Sequence, residues 1–535
     1  MANLHDSGTG TPEISKVGII GAGVSGIAAA KQLRNFSPIV FEATDSVGGV
    51  WKHCAFHSTR LQTPRNDYEF SDYPWTPLPD YPPPENDSAT FPTHLEIVEY
   101  LENYARHFDV LKFVKLNHRV VEIKYLSDRK PTYYDGMWGD FGKPLSGDPA
   151  WEVGVRTPLS EDIQWFKFEF LVVCLGKYGD VAKMPEFPTG KGPEIFQGTV
   201  LHSLDYSKLG RQEAERLVKG KKVVVVGYKK SAIDFATECA EVNQGPDRQP
   251  CTMLIRTLHW MMLPSYSVWG ISFLLLYATR FSQFLHERPS MSLLRALLCL
   301  LLSPLRKAIS KFIELYLIWK LPLRKFGLVP EHAYEEDYAS CQMAILPEKF
   351  FPAAEDGRIC FRRSSKWCFW SGGVELEDGS RLEADVVMLA TGFDGLKKLK
   401  WIFPEPFRHY IQDSSGIVPL YRGTVHPLIP HMAFVGYIES VSNLHTSEIR
   451  CRWLSSLLQG AFVLPTVDKM VYEISKQMEV MKRTTRFYKR HCISTFSINH
   501  TDEMYEDMGL SPWRKRNWLQ EAFSPYSNRD YKDDN

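Results

Sequence analysis

An α/β fold with two Rossmann-like dinucleotide-binding domains, the second inserted into the first, is predicted by three stretches of this 535-residue chain. Near the N-terminus, KVGIIGAGVSGIAAAKQL runs from an apolar strand, Val17–Ile20, through Gly21, Ala22, Gly23, Val24, Ser25 and Gly26 into an alanine-rich helical pattern. In mid-chain, KKVVVVGYKKSAIDFATECA repeats that logic: Val223–Val226, then Gly227, Tyr228, Lys229, Lys230, Ser231 and Ala232, then a helix. Later, ADVVMLATGFDG carries a third buried strand into Ala390, Thr391 and Gly392. Short apolar strands that alternate with helical patterns imply parallel sheets covered by helices.

The first unit is the more regular. Gly21 permits the tight turn, Gly23 lets the backbone approach a pyrophosphate, and Gly26 lets the helix pack close to its strand. The helix N-terminus then offers unpaired N–H groups to phosphates. The next strand, PIVFEA, ends at Glu42, about 20 residues on, where an acid binds a ribose hydroxyl and disfavours a 2′-phosphate.

The second unit departs from this pattern, with Lys229 and Ala232 in place of the second and third glycines. Alanine is tolerated there; the lysine either crowds the backbone's approach to the pyrophosphate or offers its charge to the phosphates. Strand CTMLIRT ends at Arg256, and an arginine where the first unit has a glutamate points to a 2′-phosphate, hence NADPH and not NADH. Asp234 reads as an anchor for this loop. The small-residue turn at Thr391 and Gly392 lets the backbone pass close to a cofactor or a neighbouring domain. A short strand at Phe434–Gly436 precedes a helix starting near Asn443, whose N-terminus would stabilise negative charge. A proline-rich loop over 70–92 separates the first unit from a helix around Leu95–Phe108, and strand-like pieces RVVEIKYL, WEVGVRT and IQWFKFEFLVVCLG follow. The expected division is 1–205 for the first part of one domain, 206–384 for the inserted domain, and 385–535 for the return.

Composition narrows the class. Hydrophobic (44%) and charged (24%) fractions are those of a globular protein, and a net charge of zero argues against a basic nucleic-acid-binding surface. Ten scattered cysteines without a CxxC pair fit free thiols in a reducing compartment, with neither a disulfide framework nor a zinc site. The polar N-terminus has no signal-peptide core, so a cytoplasmic location is expected. Residues 269–321 disturb this picture. They form an apolar helical insertion (about 265–325 in all) interrupted by Arg280, Arg295, Arg306 and Lys307, with Pro304 breaking any continuous helix. The uncharged run Ala296–Leu305 is well short of the roughly 20 residues that span a bilayer. Buried helices are the favoured account; an amphipathic region resting on a membrane surface, such as the cytoplasmic face of the endoplasmic reticulum, is the alternative. The oligomeric state is left open.

Phe196, Gly198, His202 and Tyr206 in FQGTVLHSLDY match the FxGxxxHxxxY/F linker of the flavin-containing monooxygenases, which this chain resembles over roughly Ile14 to Tyr526. The related Baeyer–Villiger linker ends in tryptophan, so Tyr206 favours heteroatom oxygenation. EATDSVGGVW resembles the family's acidic, double-glycine, tryptophan segment and implies Gly48, Gly49 and Trp51 near the flavin. NDYEFSDYPW, KKSAIDFA, EEDYASCQMAILPE, YRGTVHPLIP and FYKRHCISTFSINH look like the plant members that N-hydroxylate pipecolic acid in systemic immunity, and Lys229 is shared with that group. The resemblance implies FAD and NADPH as cofactors, dioxygen as co-substrate, and a flavin 4a-hydroperoxide that transfers oxygen to a neutral amine. Where animal members carry an active-site asparagine, Gln62 aligns, with Asn66 as a second candidate.

No acid–base pair or triad is required for such chemistry. His202 reads as a turn residue ordering the linker; His445 either hydrogen-bonds flavin or caps and packs. Three other classes compete. Flavin disulfide reductases lack their redox cysteine pair here, auxin-type 2-oxo acid decarboxylases match the quoted strings less well, and a non-enzymatic cofactor binder would follow if the GYKKSA loop disabled turnover.

Overall fold

Val17, Ile19 and Ile20 are buried, so the strand that carries them needs neighbours on both edges and helices on both faces. In the computed structural model, which describes residues 13–75, 91–126, 143–245, 248–411 and 416–532, that strand is β1 (Glu13–Ile20). The chain continues through α1 (Val24–Gln32), β2 (Ile39–Phe41), β3 (Val114–Lys115), β4 (Arg119–Tyr125), β5 (Trp151–Thr157) and β6 (Ser160–Val173). It then crosses to a second sheet made of β7 (Thr199–His202), β8 (Val223–Val226), β9 (Cys251–Ile255), β10 (Ile359–Arg363) and β11 (Val386–Leu389), with α2 (Lys230–Val242) after β8. The helices α3 (Leu293–Leu301) and α4 (Ser303–Lys320) fall between β9 and β10. After β11 the chain returns to the first sheet as β12 (Met432–Phe434), followed by α5 (Asn443–Leu458).

The first sheet has the order β3-β2-β1-β6-β5-β4, with β12 also on β6. β1 is parallel to β2 and β6, whereas β5 is antiparallel to both β4 and β6. The second sheet, β10-β9-β8-β11-β7, is parallel throughout. Its central strand is four buried valines, as expected for a strand covered on both faces. Residues 76–90 of the proline-rich loop lie outside the described residues; the helix after it, His94–His107, starts at a capping box of Thr93 and Glu96.

Three expectations change. β7 and β11 both belong to the inserted domain, so its borders lie before Thr199 and after Leu389 and not at 205/206 and 384/385. The reason is that the linker FQGTVLH and the ADVVML strand pair with each other, which spacing along the chain does not disclose. Cys341 and Cys492 are joined in a disulfide across 151 residues, while eight other cysteines are free. The bridge ties the inserted domain to the C-terminal segment. Buried helices describe only part of the insertion: Ile313, Tyr316 and Leu317 of α4 are buried. Pro304 sits in the first turn of α4, where proline is favoured, but of α3 only Cys299 is buried. Among the described residues, no helix is long and apolar enough to cross a membrane.

Helix α1 packs against α5 through Ser25 Oγ to Ser447 Oγ (3.0 Å) and Ser455 Oγ, which donates to Gln32 O (2.9 Å). A Cβ on Gly26 would lie 1.8 Å from Gly21 O, whereas one on Gly23 would meet nothing closer than Gly49 Cα at 3.6 Å. Gly26→Ala therefore lowers stability by about 3 kcal/mol, at the upper end of overpacking costs, while Gly23→Ala in cofactor-free protein stays within about 0.5 kcal/mol. Denaturant titration of the two variants checks this; equal losses would contradict it.

Candidate active site

The turns after β1 and after β8 open into one cavity of about 1570 Å³. Gly21, Gly23, Val24 and Ser25 line it from the first turn; Gly227, Tyr228, Lys229, Lys230 and Ser231 line it from the second. Glu42, Gly48, Gly49, Trp51 and Gln62 face it from the first domain, as do Arg256, Thr391 and Gly392 from the second. Ala22, Gly26 and Ala232 stand behind this wall, where they set the packing of turn on helix. Asn66 is exposed, in a short turn over Arg65–Asp67, and is not part of the cavity. Of the two amide candidates only Gln62 is in place, because the chain turns away after Pro64.

Glu42 is fixed by the first turn. Its Oε2 accepts from Ala22 N (2.8 Å), and its Oε1 accepts from Thr44 N (2.9 Å) and Thr44 Oγ1 (2.8 Å). Oε1 is thereby saturated, and Oε2 has one lone pair left for a sugar hydroxyl. No side chain caps the N-terminus of α1, so its first N–H groups are open to an anion. With the free space over Gly23, these donors and this acceptor fit a dinucleotide pyrophosphate and ribose. The Gly48–Gly49 turn closes on Gly23 from the opposite side, and both glycines have positive φ (118° and 56°), a conformation other residues rarely adopt.

In the second turn, Gly227 has φ 143°, and a Cβ there would meet Ala390 O at 2.7 Å. Lys229 begins α2 with no side-chain cap, and Lys230 Nζ reaches Asp234 Oδ1 at 2.5 Å. Burial pushes the Asp234 carboxyl up to about 6 against the pull of Lys230, so Asp234 anchors the loop through its neighbour. Lys229 faces the cavity. Enclosure in the cleft, then the nearby Arg490, lowers its ammonium to about 7. Arg256 follows β9 directly and has no hydrogen bond or ion pair among the described residues. Thr391 Oγ1 donates to Lys183 O (2.6 Å), fixing the small-residue turn at the cavity edge.

Gln62 Oε1 accepts from Ile345 N (3.1 Å), linking the two domains across the cavity. Tyr266, Phe273 and Tyr338 complete an aromatic wall from the inserted domain; sequence reasoning missed them because they lie in or beside the insertion. It also missed Glu439, which accepts from Lys177 Nζ (2.8 Å), Tyr178 OH (2.6 Å) and Arg490 Nη2 (2.8 Å). Burial would raise this carboxyl, yet Lys177 and Arg490 hold it down to about 2. His202 accepts from Leu204 N through Nδ1 (3.0 Å) and orders the linker helix, while Tyr206 OH donates to Glu238 Oε2 (2.9 Å). His445 packs on Tyr531, ring centres 4.7 Å apart, and does not line the cavity.

Glu439 is ionised throughout the neutral range, and its loss leaves two cations facing each other. Glu439→Gln lowers stability at pH 7 by about 3 kcal/mol, the low end for breaking a buried pair because Lys177 and Arg490 retain some solvent contact. A loss under about 1 kcal/mol in denaturant titration would contradict that role.

Comparison with known proteins agrees with this geometry. A family described as flavin-binding monooxygenase-like matches residues 14–519. The chain is 57% identical to the Arabidopsis thaliana protein described as probable flavin-containing monooxygenase 1, over 99% of this chain and 98% of that relative. It is 51% identical to the putative flavin-containing monooxygenase 2 of the same plant, over 95% and 99%. Among solved structures it is similar in fold to a closed form of cyclohexanone monooxygenase (TM-score 0.64, 17% identity, 93% of this chain and 97% of that one). It also resembles S-allyl-L-cysteine S-oxygenase from Allium sativum (TM-score 0.54, 19% identity, 93% and 89%). The chain belongs to the flavin-binding monooxygenase-like family, with FAD and NADPH as its expected cofactors.

Proposed function

We propose that this enzyme N-hydroxylates a small cyclic amine, pipecolic acid in the first instance, with FAD held by the Gly21–Gly26 turn and NADPH by the Gly227–Ala232 turn. The observation that carries the reading is that both turns open on one cavity, walled by Gln62 and the aromatic group Tyr266, Phe273 and Tyr338. The reduced flavin supplies the oxygen-activating chemistry when bound. The chain's residues bind, orient and exclude water. Gly23 and the α1 N-terminus take the pyrophosphate of FAD, and Glu42 takes its ribose. Arg256 takes the 2′-phosphate of NADPH. Lys229 adds charge beside it, which reads the departure from the glycine fingerprint as a phosphate contact. Lys177 and Arg490 give the wall around Glu439 a net positive charge suited to the carboxylate of an amino-acid substrate. No residue need act as nucleophile. The amine attacks with its own lone pair, so its unprotonated form is the substrate. Residues 390–393 and Gln62 line the cavity, where exclusion of water would protect the reactive oxygen from side reactions.

Two tests follow. Pipecolate, supplied to purified holoenzyme with NADPH and labelled dioxygen, gives an N-hydroxy product that carries the label, at a rate that rises with pH as the amine deprotonates. A decarboxylated product would overturn the reaction class, and hydrogen peroxide alone would overturn the substrate. S-allyl-L-cysteine belongs in the same panel, since a structural neighbour is named for its S-oxygenation.

Cofactor assignment is tested separately. Gly23→Val abolishes bound flavin while leaving the fold intact. Arg256→Ala costs about 1.5–3 kcal/mol of NADPH binding and almost nothing of NADH binding. Because the Lys229 ammonium is held at about 7, a phosphate beside it raises that value and binding takes up a proton above pH 7. NADPH affinity therefore falls as pH rises above about 7 in the wild type, and Lys229→Met flattens that slope. An unchanged slope would remove Lys229 from the phosphate site.

A further inference from the structure

Outside the nucleotide-binding turns, the inserted domain carries a carboxylate clamped between two imidazoles. Asp337, in the short helix Tyr334–Ala339, is wholly buried. Its Oδ1 accepts from His259 Nδ1 (2.8 Å), its Oδ2 accepts from Trp260 N (2.7 Å), and His332 Nε2 stands 2.9 Å from Oδ2. His332 O in turn accepts from Trp260 Nε1 (2.9 Å), and the Phe487 ring packs on both imidazoles, with ring centres 5.0 Å away in each case. Against the effect of burial, His259 and His332 hold the Asp337 carboxyl below its ordinary value, so it is ionised at neutral pH. A fixed anion beside Nδ1 draws the imidazole proton to that atom and leaves Nε2 of His259 as the acceptor.

Of this cluster, His259 lines the cavity. It follows Arg256 by three residues, and beyond it Met262 pairs with Ile345, whose N–H donates to Gln62. Tyr338 of the aromatic wall follows Asp337 directly. Burial lowers the His259 imidazolium below its usual range; Asp337 opposes the shift, while Lys229 and His332 add to it. The ring is therefore neutral near pH 7. N-hydroxylation of a secondary amine brings a proton to such a ring. As the nitrogen takes up oxygen it becomes cationic while it still carries its hydrogen, and an N-hydroxylated nitrogen is far less basic than the parent amine. Its proton is then matched to an imidazole, the condition under which a general base is most effective. Resting on the N-hydroxylation reading, we propose that His259, oriented by Asp337, is the base that removes this N–H proton and the acid that returns it to the oxygen leaving as water. The N–H bond breaks with its electron pair kept by nitrogen, Nε2 takes the proton, and the imidazolium gives it up within the same turnover. Amine, dioxygen, NADPH and one proton become N-hydroxy product, NADP⁺ and one water, so His259 ends each cycle neutral. Asp337 is the positioning residue of the pair.

The test compares pipecolate N-hydroxylation by wild-type holoenzyme, His259→Ala and Asp337→Asn at equal flavin content, with and without added imidazole. In His259→Ala, product formation falls roughly a hundredfold or more, while NADPH oxidation continues and ends in hydrogen peroxide. Imidazole entering the space left in the cavity restores product. Asp337→Asn keeps the ring but loses the anion; it gives an intermediate rate that imidazole does not raise. Should His259→Ala fail to bind flavin, His259→Gln keeps a partner for Asp337 and is read by the same ratio of product to hydrogen peroxide. A His259 variant that forms product at the wild-type rate would overturn the proposal. So would a loss in His259→Ala that imidazole fails to reverse, which marks a structural role. A wild-type enzyme that hydroxylates no secondary amine would instead overturn the N-hydroxylation reading, and the proposal with it.

Discussion

The carboxylate of Glu439 is the point on which the cavity's electrostatics turn. It follows β12 of the first sheet and receives donors from Lys177 and Tyr178, which follow β6, and from Arg490 of the C-terminal segment. Three stretches of chain are thereby held at one place, close enough to Lys229 of the inserted domain for Arg490 to depress its ammonium. One anion among several cations leaves a positive wall that is internally compensated but still attractive to phosphate or carboxylate. Both nucleotide turns are presented to that wall because parallel sheets place their strand–helix turns at one edge.

Local chemistry was legible from the sequence where one turn does the whole task. The Gly21–Gly26 turn, Glu42 at the next strand end, and Arg256 after β9 each follow from a strand, its turn and its helix, and the spacing shows them without knowledge of the remaining fold. Lys229 was visible as a departure, but its surroundings needed the fold: only in the cavity is it seen beside Arg490 and Arg256, which together with burial lower its ammonium.

What stayed hidden depends on contacts between distant segments. Lys177 and Glu439 are 262 residues apart, and nothing in either local pattern announces the pair. The disulfide between Cys341 and Cys492 spans 151 residues without a motif. The borders of the inserted domain were misplaced because β7 and β11 are defined by pairing and not by composition. Burial in the insertion was misjudged for a related reason: a leucine run is equally apolar in a core and on an outward helix face, and only the fold decides between them. Asn66 and Gln62 could not be told apart until the turn after Pro64 carried one of them away from the cavity.

The central claim is that one chain brings a nicotinamide and a flavin together in the cavity between its two turns. Anaerobic rapid mixing of flavin-loaded protein with NADPH tests it most directly, with the loss of oxidised-flavin absorbance followed over a range of protein concentrations. The account predicts first-order bleaching at saturating NADPH, with a rate that does not depend on protein concentration. A fully loaded flavin that NADPH leaves oxidised, or a rate that grows in proportion to protein concentration, would contradict it.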